Sequence, residues 1–91
     1  MRFEILYALE GGDHMAITAY VFIECTAGAA RDTAKEVSKI KGVVRANATT
    51  GPYDVIALVE APDLNVLGDF IVTKIQGLSG VLRTQTNVVV D

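Results

Sequence analysis

The segment GVVRANAT, Gly42–Thr49, recurs near the end of the chain as GVLRTQTN, Gly80–Asn87. A stretch with apolar residues at helical spacing precedes each copy, and before that lies a strand-like stretch ending in FIEC, 22–25, or LVEA, 58–61. Two βαβ units in tandem predict the order βαββαβ. Right-handed crossovers then place both helices on one face of a four-stranded antiparallel sheet, which is the ferredoxin-like α+β sandwich.

The strands predict an apolar surface on the side of the sheet that the helices leave open. Residues 17–25 alternate, so that an aliphatic row points one way while Tyr20 and Phe22 point the other way. In the third strand, residues 53–60, Ile56 and Leu58 lie opposite a second apolar row. An antiparallel sheet facing water would be polar on that side. We therefore predict a homodimer that forms through the open sheet face.

The helices and the chain start are less regular in sequence. The first helix is predicted to end at Gly42. The second is predicted to begin with Asp63 as its N-cap and to carry apolar residues at helical spacing, which are Leu64, Leu67, Phe70, Ile71 and Ile75. Residues 1–14 are predicted to be an N-terminal extension, either a strand that crosses to a neighbouring subunit or a segment of little consequence. A hairpin onto the first strand meets a topological objection, because both edges of that central strand are occupied. Residues 15–91 form the predicted domain.

Composition excludes several classes of protein. The 91 residues carry a net charge of −3, and the basic residues are scattered, which argues against direct nucleic-acid binding. The single cysteine, Cys25, excludes an internal disulfide and fits a reduced, cytoplasmic setting. No apolar run has the length of a membrane span.

The sequence contains few residues that could act together in catalysis. The only histidine, His14, lies in the predicted extension, and no nucleophile–base set can be assembled around it. Asp54 and Glu60 share a strand face but are separated by about 20 Å of strand, too far to share a proton or a metal. Neither of the glycine-rich phosphate-binding motifs, the P-loop and Gly-x-Gly-x-x-Gly, occurs. We therefore predict no enzyme activity, no metal and no cofactor.

The stretch ATTGPYDVIALV, 48–59, has two interpretations. It is a hairpin loop in which glycine, proline and aspartate satisfy the turn. It is also a candidate ligand site, because backbone N–H groups, a carboxylate and nearby hydroxyls suit an amino-acid zwitterion. The candidate ligand-binding residues are Gly51, Tyr53, Asp54, Thr84 and Thr86.

These motifs carry a resemblance to a known family. The segments Thr50–Ile56 and Leu78–Thr86, with Leu67 and Phe70 between them, resemble the effector-binding RAM domain of the Lrp/AsnC family, over residues 16–90. The resemblance implies a dimer formed sheet to sheet, an octamer built as a tetramer of dimers, and an amino-acid effector near the Gly-x-Tyr-Asp turn. Pro52 departs from the family pattern and removes one backbone donor.

The resemblance also implies a function. Full-length members carry a helix-turn-helix domain before this module, whereas only about fifteen residues precede it here. The chain therefore resembles a stand-alone form that acts as an oligomeric regulator. It would bind a small molecule, an amino acid, at a subunit interface and modulate full-length Lrp/AsnC relatives. Two alternatives stay open: a cofactor-independent dimeric α/β-barrel enzyme such as a monooxygenase, and an ACT-like amino-acid-binding module.

Overall fold

The computed structural model describes residues 16–91, and its elements follow the order that the repeat predicts. They are β1 (Ile17–Cys25), α1 (Ala30–Ser38), β2 (Val43–Ala48), β3 (Val55–Ala61), α2 and β4 (Val81–Val88). The helix α2 consists of a π-helical segment, Val66–Val72, that continues as an α-helical turn, Thr73–Gln76. The four strands lie in the order β2-β3-β1-β4, with every neighbouring pair antiparallel. The predicted ferredoxin-like α+β fold is confirmed.

The predicted extension, residues 1–14, lies outside the described residues, and so does His14. Within the domain, the largest difference in strand bounds concerns the third strand, which the sequence predicts from residue 53. It begins at Val55 instead, because Tyr53 and Asp54 complete the preceding turn.

The core lies between the sheet and the two helices. The aliphatic row of β1 and the alternate residues of β3 face the helices, as the period-2 pattern predicts. They pack against Val37 of α1 and against Leu67, Ile71 and Ile75 of α2, all buried. The sheet residues of this core are Ala19, Val21, Ile23, Cys25, Val55, Ala57, Val59 and Ala61.

The second helix departs from regular α-helical geometry. Asp63 caps its start, since the Asp63 Oδ1 accepts a hydrogen bond of 2.8 Å from the Val66 N–H. The wider π turn brings the Thr73 hydroxyl to the carbonyl of Gly68, five residues earlier, at 3.0 Å. Phe70, which α-helical spacing predicts in the core, is 40% exposed as a result.

The open face of the sheet is apolar in the centre, as predicted. Tyr20 is 42% exposed, and Phe22, Ile56 and Leu58 are half-buried on the side that no helix covers. The register sets Tyr20 beside Leu58 and Phe22 beside Ile56, so the four side chains form one patch. We call this patch the open face.

Two glycines with positive φ provide a matched pair of test positions. Gly42 has φ +101° and Gly51 has φ +104°. A methyl group added at Gly42 would contact the Ile71 side chain and the Glu60 carbonyl, whereas one added at Gly51 would meet open space. Both positions strain any L-residue, but only Gly42 also lies against the core.

We expect Gly42→Ala to lower the free energy of unfolding more than Gly51→Ala does. Backbone strain costs about 1–3 kcal/mol at either position. The contact with Ile71 adds about 1 kcal/mol or more at Gly42 through overpacking. Urea denaturation of both variants measures the difference, and equal losses would show that Ile71 moves aside without cost.

Candidate functional site

The turn between β2 and β3 is closed by its own hydrogen bonds. The Thr49 N–H donates to the Asp54 carbonyl at 2.9 Å, and the Thr49 hydroxyl donates to the Tyr53 carbonyl at 3.0 Å. Gly51 provides the positive φ that the turn requires. The hairpin interpretation of this stretch is therefore confirmed, and any ligand would meet a turn that is already formed.

Asp54 joins this turn to the end of β1. Its Oδ2 accepts a hydrogen bond of 2.8 Å from the Cys25 N–H, and its own N–H donates to the Ile23 carbonyl at 2.9 Å. The β1–β4 register shifts between Glu24 and Cys25, so the carboxylate holds the backbone at an irregular position. The Asp54 side chain therefore has a structural role in the chain as it stands.

The Cys25 thiol beside this carboxylate is buried. Burial raises its pKa above the ordinary value, the nearby Asp54 charge raises it further, and a hydrogen bond with Thr33 opposes the shift. A thiol with a raised pKa holds its proton and is a poor nucleophile. Cys25 is thus a core residue, as its place in the aliphatic row predicts.

Tyr53 lies on the opposite side of the sheet from the core. Its ring packs on Phe22 with centroids 4.9 Å apart and planes inclined by 43°. Its hydroxyl donates to the Gln85 Oε1 at 3.0 Å, which links the turn to β4 across the open side of β1. These two contacts fix the orientation of the tyrosine ring.

The two candidate threonines share one face of β4, and it is the face opposite to the one that carries Tyr53. Thr84 pairs with Ile23 and Thr86 pairs with Val21, so both lie on the side of the sheet that carries the helices. The Thr84 hydroxyl accepts a hydrogen bond of 2.9 Å from the Gln76 Nε2. The structure therefore brings Tyr53 and Asp54 together at the turn and separates the Thr84 and Thr86 side chains from Tyr53.

A polar groove lies at the end of the open face, next to the turn. Its volume is about 360 Å³, and it is lined by Glu24, Tyr53, Arg83, Thr84 and Gln85. Two of these residues, Tyr53 and Thr84, were candidates from the sequence. We call this cavity the Arg83 groove.

An ion pair spans the Arg83 groove. The Arg83 Nη2 donates to both oxygens of Glu24, at 3.0 Å to Oε1 and 2.9 Å to Oε2. The hydrogen bond and the charge of Glu24 raise the pKa of the guanidinium above its ordinary value, so Arg83 stays charged. Sequence reasoning missed this pair. The alternation of β1 places Glu24 on the open side, but the register that sets Arg83 opposite it appears only in the folded sheet.

A second, mainly apolar cleft of about 450 Å³ lies where α2 meets the end of β3. It is lined by Lys41, Gly42, Glu60, Pro62, Val66, Phe70 and Ile71. The Lys74 ammonium lies 4.9 Å from the centroid of the exposed Phe70 ring, a cation–π arrangement. Residues 16–91 contain no group of three or more potential metal ligands and no helix long and apolar enough to cross a membrane.

The sheet is covered on one side, and a preformed turn and a polar groove lie at the end of its open side. Residues 18–91 match the family model of the Lrp/AsnC ligand binding domain. The chain therefore belongs to the Lrp/AsnC ligand-binding domain family, and it is an effector-binding regulatory domain. The comparison with curated proteins returned no match.

Solved structures share this fold. TTHA0845 from Thermus thermophilus is 32% identical, with a TM-score of 0.76 over 82% of this chain and 94% of that chain. The hypothetical protein PHS023 from Pyrococcus horikoshii is 29% identical, with a TM-score of 0.74 over 84% of this chain and 90% of that chain. The transcriptional regulator NMB0573 from Neisseria meningitidis, solved as an L-Met complex, is 25% identical. Its TM-score is 0.71 over 82% of this chain and 50% of that chain.

We expect Asp54→Ala to destabilise the fold, because it leaves the Cys25 N–H at the end of β1 without its acceptor. The free energy of unfolding should fall by about 1.5–3 kcal/mol, the contribution of a hydrogen bond to a charged group. Asp54→Asn is the control, since its amide oxygen can still accept and the loss should be smaller. Urea denaturation measures both, and an alanine variant as stable as the native chain would contradict the structural role of Asp54.

Proposed function

We propose that this chain is an oligomeric, non-enzymatic regulator of the Lrp/AsnC type that binds an amino acid at a subunit interface. The observation that carries the proposal is the open face, because its apolar centre ends beside the Arg83 groove and the Gly51 turn. Membership of a family of ligand-binding regulatory domains supports it. The setting that fits such a regulator is the cytoplasm.

The composition of the open face supports a second copy of the chain as its partner. Its centre is apolar, with Tyr20, Phe22, Ile56 and Leu58. Polar residues border it on both outer strands, and these are Arg45, Asn47, Gln85 and Asn87. An apolar centre inside a polar rim is typical of protein interfaces. At roughly 25 cal/mol per Å² of apolar area, a few hundred Å² of burial favours association by several kcal/mol before the costs of association.

The polar rim is ordered before any partner binds. On the β4 side, the Gln85 Nε2 donates to the Asn87 Oδ1 at 2.9 Å, and the Asn87 Nδ2 donates to the Tyr20 carbonyl at 3.0 Å. This network continues to Tyr53 through Gln85. A preordered rim loses less side-chain entropy when a partner covers it. The same network connects the proposed interface to the turn that carries the candidate ligand residues.

The proposed ligand is an amino acid, and the L-Met complex of NMB0573 supports that class. The candidate residues remain Gly51, Tyr53, Asp54, Thr84 and Thr86. Gly51 is exposed, which leaves room beside the turn for a ligand. The Thr84 and Thr86 hydroxyls lie on the helix side of β4, whereas the Tyr53 ring lies on the open side, although Thr84 also borders the Arg83 groove. That separation favours a site shared between subunits.

Regulation follows from linkage between the ligand and the subunit contacts. A ligand that binds one assembly state more tightly shifts the equilibrium toward that state, typically by about 1–3 kcal/mol. The proposed assemblies are a homodimer through the open face, an octamer made of four such dimers, and mixed oligomers with full-length Lrp/AsnC relatives. The chain would then act by altering the assembly of those relatives.

We expect the chain to be a dimer or larger in light scattering at micromolar concentration. Leu58→Lys places a charge in the centre of the open face and should convert the assembly to monomers. Leu64→Lys is the matched control, since Leu64 is 61% exposed near the start of α2. The assembly formed by this variant should have the same subunit number as the native chain. A native chain with the mass of one subunit would contradict the proposed interface.

We expect at least one of the twenty amino acids to raise the melting temperature. A ligand at 100 times its Kd stabilises the bound state by about 2.7 kcal/mol. In a domain of this size, each 1 kcal/mol corresponds to about 4–8 °C. The matched L-amino alcohol, which lacks the carboxylate, is the control. A screen in which no amino acid shifts the transition would leave only a role in assembly.

A further inference from the structure

The polar groups that the sequence nominates at the turn are engaged by the fold. The Asp54 carboxylate holds the Cys25 N–H, the Thr49 hydroxyl holds the Tyr53 carbonyl, and the Thr84 hydroxyl is bonded to Gln76. A ligand that replaced these bonds would disturb contacts that hold the turn and the edge strand. The Arg83 groove contains other charged groups, and these have hydrogen-bonding capacity left over.

Arg83 has donors to spare. Among the described residues its guanidinium bonds only to Glu24, and both of those bonds use Nη2. A guanidinium carries five N–H donors in a planar fork, so those on Nε and Nη1 are available. Each of these charged donors can bond to an oxygen of a carboxylate. The Arg83 side chain is 73% exposed, so a ligand in solution can reach it.

Glu24 has acceptor capacity to spare in the same groove. Each of its oxygens accepts one bond from Arg83, and an ionised carboxylate has about four lone-pair sites. Its side chain is only 30% exposed. Partial shielding from water strengthens the attraction of Glu24 for a cation. An ammonium group is a suitable partner because it has three donors.

We propose, on the basis of the function proposed above, that Arg83 and Glu24 are the pair that recognises the charged ends of the amino-acid effector. The effector carboxylate binds the free N–H donors of Arg83, and its ammonium group binds Glu24. The four charges then alternate in sign around the groove, and the internal ion pair does not have to break. The class of ligand that fits is a zwitterionic α-amino acid with both charged groups free.

The rest of the groove limits the size and the orientation of this ligand. A cavity of about 360 Å³ is near the lower end of the roughly 300–1,000 Å³ found for ligand pockets. The Tyr53 ring, held by Phe22 and Gln85, forms an apolar wall against which the ligand side chain can pack. The groove therefore favours a single amino acid over a peptide or a nucleotide.

The position of the pair also explains how binding would reach the subunit contacts. Glu24 follows Phe22 on the same side of β1, and Gln85 follows Arg83 on the same side of β4. The groove is thus the end of the open face, at the rim of the proposed interface. A ligand that bridges Arg83 and Glu24 there lies beside the residues that a second subunit would contact.

The test compares three variants against chemically blocked ligands. Arg83→Gln removes the fork, Glu24→Gln removes the negative charge, and Arg31→Gln on α1 is the control for the loss of one exposed positive charge. The probes are the amino acid that gives the largest shift in the thermal screen, its methyl ester and its N-acetyl derivative. Isothermal titration calorimetry measures each affinity, and urea denaturation of the unliganded variants checks that they fold. Little stability should be lost, since exposed ion pairs contribute little.

We expect Arg83→Gln and Glu24→Gln each to weaken binding of the free amino acid by about tenfold or more, and Arg31→Gln to leave it unchanged. The N-acetyl derivative, which lacks the ammonium charge, should bind the Glu24 variant as well as it binds the native chain. The methyl ester, which lacks the carboxylate, should likewise bind the Arg83 variant as well as the native chain. This crossed pattern would assign one charged end to each residue.

The outcomes separate this inference from the function on which it rests. If the native chain binds an amino acid and both groove variants bind it as tightly as Arg31→Gln does, the recognition pair is wrong and the regulator function stands. If the native chain binds no amino acid, the ligand-binding function itself fails. Should Arg83→Gln unfold, Arg83→Lys keeps the charge without the fork and is expected to weaken the free amino acid while sparing the methyl ester.

Discussion

The antiparallel pairing of β1 between β3 and β4 is the constraint on which the rest of the structure depends. It buries the odd-numbered residues of β1 against the helices and turns the even-numbered ones to the open side. A slip of one residue would exchange the two sets and expose the aliphatic row. The register is therefore strongly specified by the core. The same register sets Glu24 opposite Arg83 and brings Tyr53 within reach of Gln85.

The turn and the groove are consequences of this pairing at one end of the sheet. Asp54 closes the turn from one side by accepting the Cys25 N–H, while Tyr53 packs on Phe22 from the other side. Tyr53 and Asp54 belong to the turn that precedes β3, so the alternation of the strand does not set the directions of their side chains. This dipeptide connects a backbone contact at the end of β1 with the Arg83 groove on the open side.

The second helix shows where local sequence rules reached their limit. The spacing of Leu67, Ile71 and Ile75 correctly indicates the buried stripe, but the same spacing includes Leu64 and Phe70, which are both exposed. The residues form a π-helical segment in which the Thr73 hydroxyl bonds to the Gly68 carbonyl, and the wider turn leaves Phe70 exposed. Periodicity assumes a fixed number of residues per turn, so it could not anticipate this change.

The sequence by itself determined the element order, the ferredoxin-like fold, the two sides of β1 and β3, and the family, because these follow from period-2 alternation, an internal repeat and a local motif. It also indicated the turn at Gly51 to Asp54, since glycine adopts positive φ and the aspartate side chain bonds to nearby backbone N–H groups. Only the tertiary structure decided which face of β4 carries Thr84 and Thr86, and that Glu24 and Arg83 form an ion pair beside Tyr53. Those relations join strands that are distant in the chain, and they depend on a register set by the packing of the whole core.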